Sequence, residues 1–235
     1  MQSTQTMKLK QLAQHMKPKS QAEGDGATVC RIVGNRLLPN LDPFLMLDLF
    51  NVKLPAGFPD HPHRGFETVT YMLEGEVEHE DFKGHRGKIG PGDVQWMTAG
   101  KGIVHAEMPS SFEKSSFGFQ LWINLDRKNK FCDPKYQEHL KDKIPTFEDA
   151  AIGMRAKVIS GKVFDVQGPI EARTPTYFID FQFSKKDANY AHEIPVDWNS
   201  ALICYEGSIL VETKPVTKKD ILESKSFRRF LIPVD

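Results

Sequence analysis

The chain has 235 residues, 40% hydrophobic and 26% charged, with 31 basic against 31 acidic side chains and a formal net charge of zero. That length and balance describe a globular protein of one large domain or two small ones, and direct nucleic-acid binding by a broadly basic surface is not expected. No apolar run approaches the ~18 residues of a membrane-spanning helix, and Cys30, Cys132 and Cys204 lack CxxC spacing, so they read as free thiols in a reducing, cytoplasmic or nuclear compartment.

Residues 1–27 are polar and end in the small-residue stretch from Ala22 to Ala27, which reads as a mobile leading segment followed by a turn. From residue 28 to about 130 the pattern is one of short strands. Phe44 to Phe50 is a mostly apolar run suited to a strand buried on both faces. Phe66 to Leu73 is rich in β-formers and runs into Glu74-Gly75, a hairpin signal, with the partner strand opening at Glu76. Pro91-Gly92-Asp93 marks another tight turn, followed by strands at Val94 to Met97 and Phe117 to Leu125. In the latter, Phe117, Phe119, Leu121 and Ile123 share one side.

Residues 131–150 read as a charged linker, with a short helix over Pro134 to Lys143. A second β unit is expected over 151–235, with strands at Ala156 to Ser160, Thr176 to Phe183 and Ser200 to Val211. Lys214 to Arg229 is charged and weakly patterned, and Phe230 to Val234 reads as a final strand. Many short strands with regular turns give an all-β chain of the sandwich or barrel kind.

Two tripeptides carry the chemistry. Side chains alternate along a strand, so His61-Pro62-His63 presents two imidazoles to one side, and Pro62 keeps His61 extended. His105-Ala106-Glu107 repeats that spacing with an imidazole and a carboxylate. If the two segments face each other inside a barrel, three nitrogens and one oxygen converge, a set suited to Fe or another first-row transition metal. Four protein ligands on an octahedral ion leave positions open for substrate. Glu67 competes with Glu107, because it follows His63 by an even spacing, and spacing alone does not choose between them. Phe58 is a candidate for an apolar mouth or for ordinary core packing. His79 and His85 sit among charges and read as solvated or structural, as does His192.

The string from Gly57 through His61-Pro62-His63-Arg64-Gly65-Phe66-Glu67-Thr68, and the string from Gly92 to Gly100 followed by Gly102 and His105-Ala106-Glu107-Met108-Pro109, resemble the pirin branch of the cupin superfamily. Asn40 to Phe44 and Leu121 to Leu125 fit the same pattern, and the likeness covers about residues 26–185 well. The resemblance implies two cupin (jelly-roll-like) β-barrel domains and one iron ion, Fe2+ or Fe3+, in the first. It makes His61, His63, His105 and Glu107 the ligands, since pirins take the glutamate two residues after the third histidine, whereas many other cupins use the position of Glu67. It implies one of two roles for a monomer. The first is a quercetin 2,3-dioxygenase, in which a flavonol binds the metal through its 3-hydroxyl and 4-carbonyl oxygens, O₂ adds, and the central ring opens with release of carbon monoxide. Glu107 would then be the base, with Glu67 as a second candidate. The other is a nuclear, iron-dependent cofactor whose partner is a transcription factor, with Arg64 and Lys101 on its surface. After Val211 the expected strands of the second barrel are not legible, so that domain reads as incomplete.

Overall fold

The structure is a computed structural model that describes residues 13–24, 26–195, 197–207 and 209, and the backbone of 229–234. The first unit is built from β1 (Ser20–Glu23), β2 (Ala27–Val33), β3 (Phe44–Val52), β4 (Phe58–His63), β5 (Phe66–Glu74) and β6 (Val77–Asp81). It continues with β7 (Arg86–Ile89), β8 (Val94–Thr98), β9 (Ile103–Pro109), β10 (Ser116–Asn124) and β11 (Lys135–His139). The second unit holds β12 (Thr146–Asp149), β13 (Met154–Ser160), β14 (Lys162–Val163), β15 (Val166–Gln167), β16 (Tyr177–Phe183), β17 (Ile203–Glu206) and β18 (Arg229–Val234). Among the described residues there is no α-helix, only a 3-10 turn at Lys141–Lys143, and none is long and apolar enough to cross a membrane.

A seven-stranded sheet in the order β1-β2-β3-β10-β5-β8-β11 and a four-stranded sheet in the order β4-β9-β6-β7 form the first unit. The hairpin between β5 and β6 turns on Gly75, at φ 68 with the Ser115 carbonyl pressed against it, where any Cβ would collide. The second unit has a five-stranded sheet in the order β12-β13-β16-β18-β17 and the small pair β14-β15.

The seven-stranded sheet is buried on both faces in its middle. One face of β5, β8 and β10 sends Val69, Tyr71, Val94, Trp96, Phe119, Leu121 and Ile123 into a core shared with Ile144, Ile159, Ile170 and Phe178 of the following segment. Alternation puts Thr68, Thr70 and Met72 of β5 and Gln120 and Trp122 of β10 on the opposite face, toward the four-stranded sheet. The space between the two sheets is the lumen of the first unit, and an apolar cluster of Ala27, Val29, Phe50, Val52, Met72, Val77 and Ile89 packs one end of it.

Three sequence expectations change. Ser20–Glu23, placed in the mobile segment, pairs with Ala27 to Cys30 as an added edge strand, the chain reversing where Gly24 and Gly26 take positive φ. Residues 1–12 of that segment lie outside the described residues. The expected helix of Pro134 to Lys143 is instead β11 and the 3-10 turn, because Lys135 to His139 align with Thr98 to Val94 and complete the sheet edge. Among the described residues of the run Ser200 to Val211, the strand is Ile203–Glu206; residues 208, 210 and 211, and most of Lys214 to Arg229, lie outside the described residues.

Candidate metal centre

The four-stranded sheet sets the histidines. β4 and β9 run antiparallel with His61 opposite His105 and His63 opposite Ile103. Directly opposed residues share a face, so His61, His63, His105 and Glu107 all point into the lumen. One ligand atom from each of the three histidines lies within 4.8 Å of the others. Their ring centroids are 4.5 to 4.9 Å apart. A register shift between Phe58 and His61 brings Phe58 opposite Glu107, and Phe58 packs on the apolar cluster at the closed end. Its role is core packing.

The tautomers are set by what each ring meets. His61 Nδ1 donates to the Pro59 carbonyl at 2.8 Å, which frees its Nε2. His63 Nε2 and both nitrogens of His105 are buried without any hydrogen bond. Burial, reinforced by the neighbouring imidazoles, holds His63 and His105 down at about 3. Both rings are therefore neutral near pH 7, with lone pairs free. Buried polar nitrogens without partners cost free energy unless something satisfies them. A cation accepting three imidazole lone pairs does so, and the donor set fits a first-row transition metal.

Glu107 closes the set on the lumen side. Its Oε2 lies 3.9 Å from His105 Nε2, and its Oε1 accepts from the Thr70 hydroxyl at 2.8 Å. Thr70 Oγ1 is also 2.6 Å from Gln120 Oε1, and Gln120 Nε2 donates to Glu107 Oε2 at 3.5 Å. Phe66 and Trp122 meet His63 edge to face, with ring centroids at 5.1 and 5.2 Å. His61 is partly exposed while His63 and His105 are buried, so the centre opens on the His61 side.

Glu67 goes elsewhere. Gly65, at φ 79 between β4 and β5, breaks the alternation that would have carried it onto the ligand face. Glu67 shares the face of Val69 and Tyr71, fully buried toward the second unit, and accepts from Thr98 at 2.7 Å. This removes it as a ligand and as a base at the centre. Burial raises its carboxyl above the ordinary 4.5, against the opposing pull of Thr98 and the Arg173 charge. The native state therefore keeps this proton to higher pH than the unfolded chain, and the group's contribution to stability falls as pH rises from about 4.5 through its raised folded value. Glu67→Gln is expected to gain stability relative to the parent between about pH 5 and about pH 8, with metal affinity unchanged. Urea denaturation at both pH values checks this, and a stability difference independent of pH would contradict it.

Thr70, Gln120 and Trp122, which reach the lumen from β5 and β10 of the opposite sheet, carry no local spacing signal in the sequence. Of the solvated and structural readings of His79, burial at 5% exposure against Glu138 selects the structural one. Its strand neighbour two positions on, Asp81, is equally buried. That His-x-Asp spacing was legible and matches the two ligand tripeptides.

The Pirin family profile matches residues 26–123. A "Pirin-like protein" of Solanum lycopersicum is 51% identical over 189 residues, covering 80% of this chain and 64% of that protein. "Pirin" of Homo sapiens is 47% identical over 194 residues, covering 82% of this chain and 66% of that protein. The chain thus spans slightly less than two thirds of the length of either relative. A solved quercetin 2,3-dioxygenase from Acinetobacter baumannii superposes with a TM-score of 0.83 at 30% identity, covering 97% of this chain and 87% of that one.

Proposed function

Because the chain belongs to the pirin family of the cupin superfamily, we propose that His61, His63, His105 and Glu107 hold one iron ion and that the centre opens flavonols such as quercetin with O₂. The observation that carries the reading is the convergence of three imidazoles, two of them buried with unsatisfied nitrogens, beside a carboxylate. The similarity to a quercetin 2,3-dioxygenase at 30% identity supports the choice of substrate. When bound, iron supplies Lewis acidity toward the substrate oxygens and redox chemistry toward O₂.

The chain's own residues do the rest. Phe66 and Trp122 pack on each other at a 34° tilt and line the space beside His63 with aromatic surface that suits a polyphenol. Glu107 takes the flavonol hydroxyl proton. Thr70 and Gln120 are placed to keep it there. Once protonated, Glu107 donates to Thr70 Oγ1, the Thr70 proton turns to Gln120 Oε1, and Gln120 Nε2–H still faces Glu107 Oε2, so every donor in the ring has an acceptor.

Aerobic incubation of iron-loaded protein with quercetin, followed by loss of its visible absorbance, tests this. Turnover is expected in the parent and not in the His61→Ala, His63→Ala double variant. Activity that survives the double variant would place the chemistry elsewhere. Absence of turnover with any flavonol would leave a metal-holding binding protein, the nuclear-cofactor role.

A further inference from the structure

His61 shows what a ligand imidazole needs behind it. Its outer nitrogen, Nδ1, is held by the Pro59 carbonyl, which fixes the ring and its tautomer. His105 has no such support, as both of its nitrogens are buried and neither makes a hydrogen bond. Its Nε2 faces Glu107, so Nδ1 is the outer nitrogen.

Directly opposite His105, on β6, stands Asp81. The inward residues of β6 are Val77, His79 and Asp81, opposed to Pro109, Glu107 and His105. Opposed side chains on one face of an antiparallel pair have Cβ atoms about 4.5–5.5 Å apart. Asp81 is 5% exposed. Its Oδ1 is pinned by the backbone N–H groups of Lys83 at 2.8 Å and His85 at 3.0 Å. Its Oδ2 is buried and makes no hydrogen bond, and the His85 ring nitrogen stays 3.7 Å away. A buried acceptor and a buried donor, both unsatisfied, thus sit on opposed residues.

On the metal-centre reading above, we propose that Asp81 is a positioning residue: its Oδ2 accepts the Nδ1–H of His105 and so fixes the tautomer whose Nε2 ligates. The Tyr136 hydroxyl is a third buried polar group here, and it faces the same Asp81 carboxylate. A carboxylate oxygen has two lone pairs, so Oδ2 serves both donors. The result is a carboxylate–histidine pair behind the metal, which raises ligand basicity and limits ring rotation.

Asp81→Asn tests the assignment cleanly. The two backbone donors keep the amide oxygen at the Oδ1 position, so the new NH₂ replaces Oδ2 and meets His105 donor to donor. Chelator competition with Co(II) is expected to show affinity falling by about 10–100-fold, while the metal-free variant unfolds at a temperature close to the parent's. In zinc-loaded parent protein, the His105 Nδ1 proton should give a low-field NMR resonance that the variant lacks. Parental Co(II) affinity in the variant, or a low-field resonance that survives the substitution, overturns the proposal. If the variant does not fold, the parent spectrum decides, and absence of the low-field proton there overturns it equally. A parent chain that binds no Co(II) would sink the metal centre itself, and this proposal with it; equal binding by parent and variant sinks only the role of Asp81.

Discussion

His105→Ala is expected to lose iron by about 10²–10³-fold in affinity, with quercetin turnover falling to background. Four-ligand structural metal sites gain about 10–16 kcal/mol from their ligands together, so one ligand accounts for about 3–4 kcal/mol. His105 is fully buried and stands at the centre of the strand pair, facing His61 across β4 and Glu107 along β9. No other histidine is placed to substitute, since His79 is engaged with Glu138. The metal-free variant should keep its fold, because the substitution removes two unsatisfied buried nitrogens together with the packing of the ring. Metal titration followed by absorbance or paramagnetic resonance measures the loss. Retention of iron with parental affinity would mean that the three imidazoles do not form the binding set.

Phe178→Ala is expected to destabilise the whole chain by about 3–5 kcal/mol, in one cooperative transition. Phe178 belongs to β16, yet its ring lies edge-on to Tyr71 of β5 at 5.9 Å, within the cluster that contains Val69, Trp96, Leu121 and Ile123. The Tyr71 hydroxyl donates to Asp180 at 2.8 Å, so the same pair of strands is also tied by a polar contact. Removing the ring leaves a cavity walled by both units. Urea unfolding monitored by tryptophan fluorescence and by circular dichroism should give coincident, shifted midpoints. Two separated transitions, or a cost below about 1 kcal/mol, would show that the units do not share a core.

The two tripeptides were legible because their signal is local. In His61-Pro62-His63 and His105-Ala106-Glu107 the two-residue strand period brings paired side chains to one face, and the β4–β9 pairing sets the two tripeptides side by side. Glu67 stayed open as an alternative for the same reason in reverse. Counting by twos from His63 assumes unbroken extended backbone, and Gly65 at positive φ ends that assumption two residues later. The helix expected near Pro134 to Lys143 rested on a charged segment without strand alternation. What makes β11 a strand is an edge offered by β8, with Tyr136 set opposite Met97, and no local property of the segment announces that partner. Thr70 and Gln120 were invisible because a hydrogen-bonding role is defined by the atoms a side chain faces after folding.

The direct opposition of His61 and His105 makes the centre an all-or-nothing gauge of alignment between β4 and β9. Sliding one strand past the other by a single position would flip one tripeptide outward, leaving Pro62 and the flanking positions where imidazoles belong. Metal uptake during refolding would then count only chains that have chosen the native pairing, and a bound ion would trap them there.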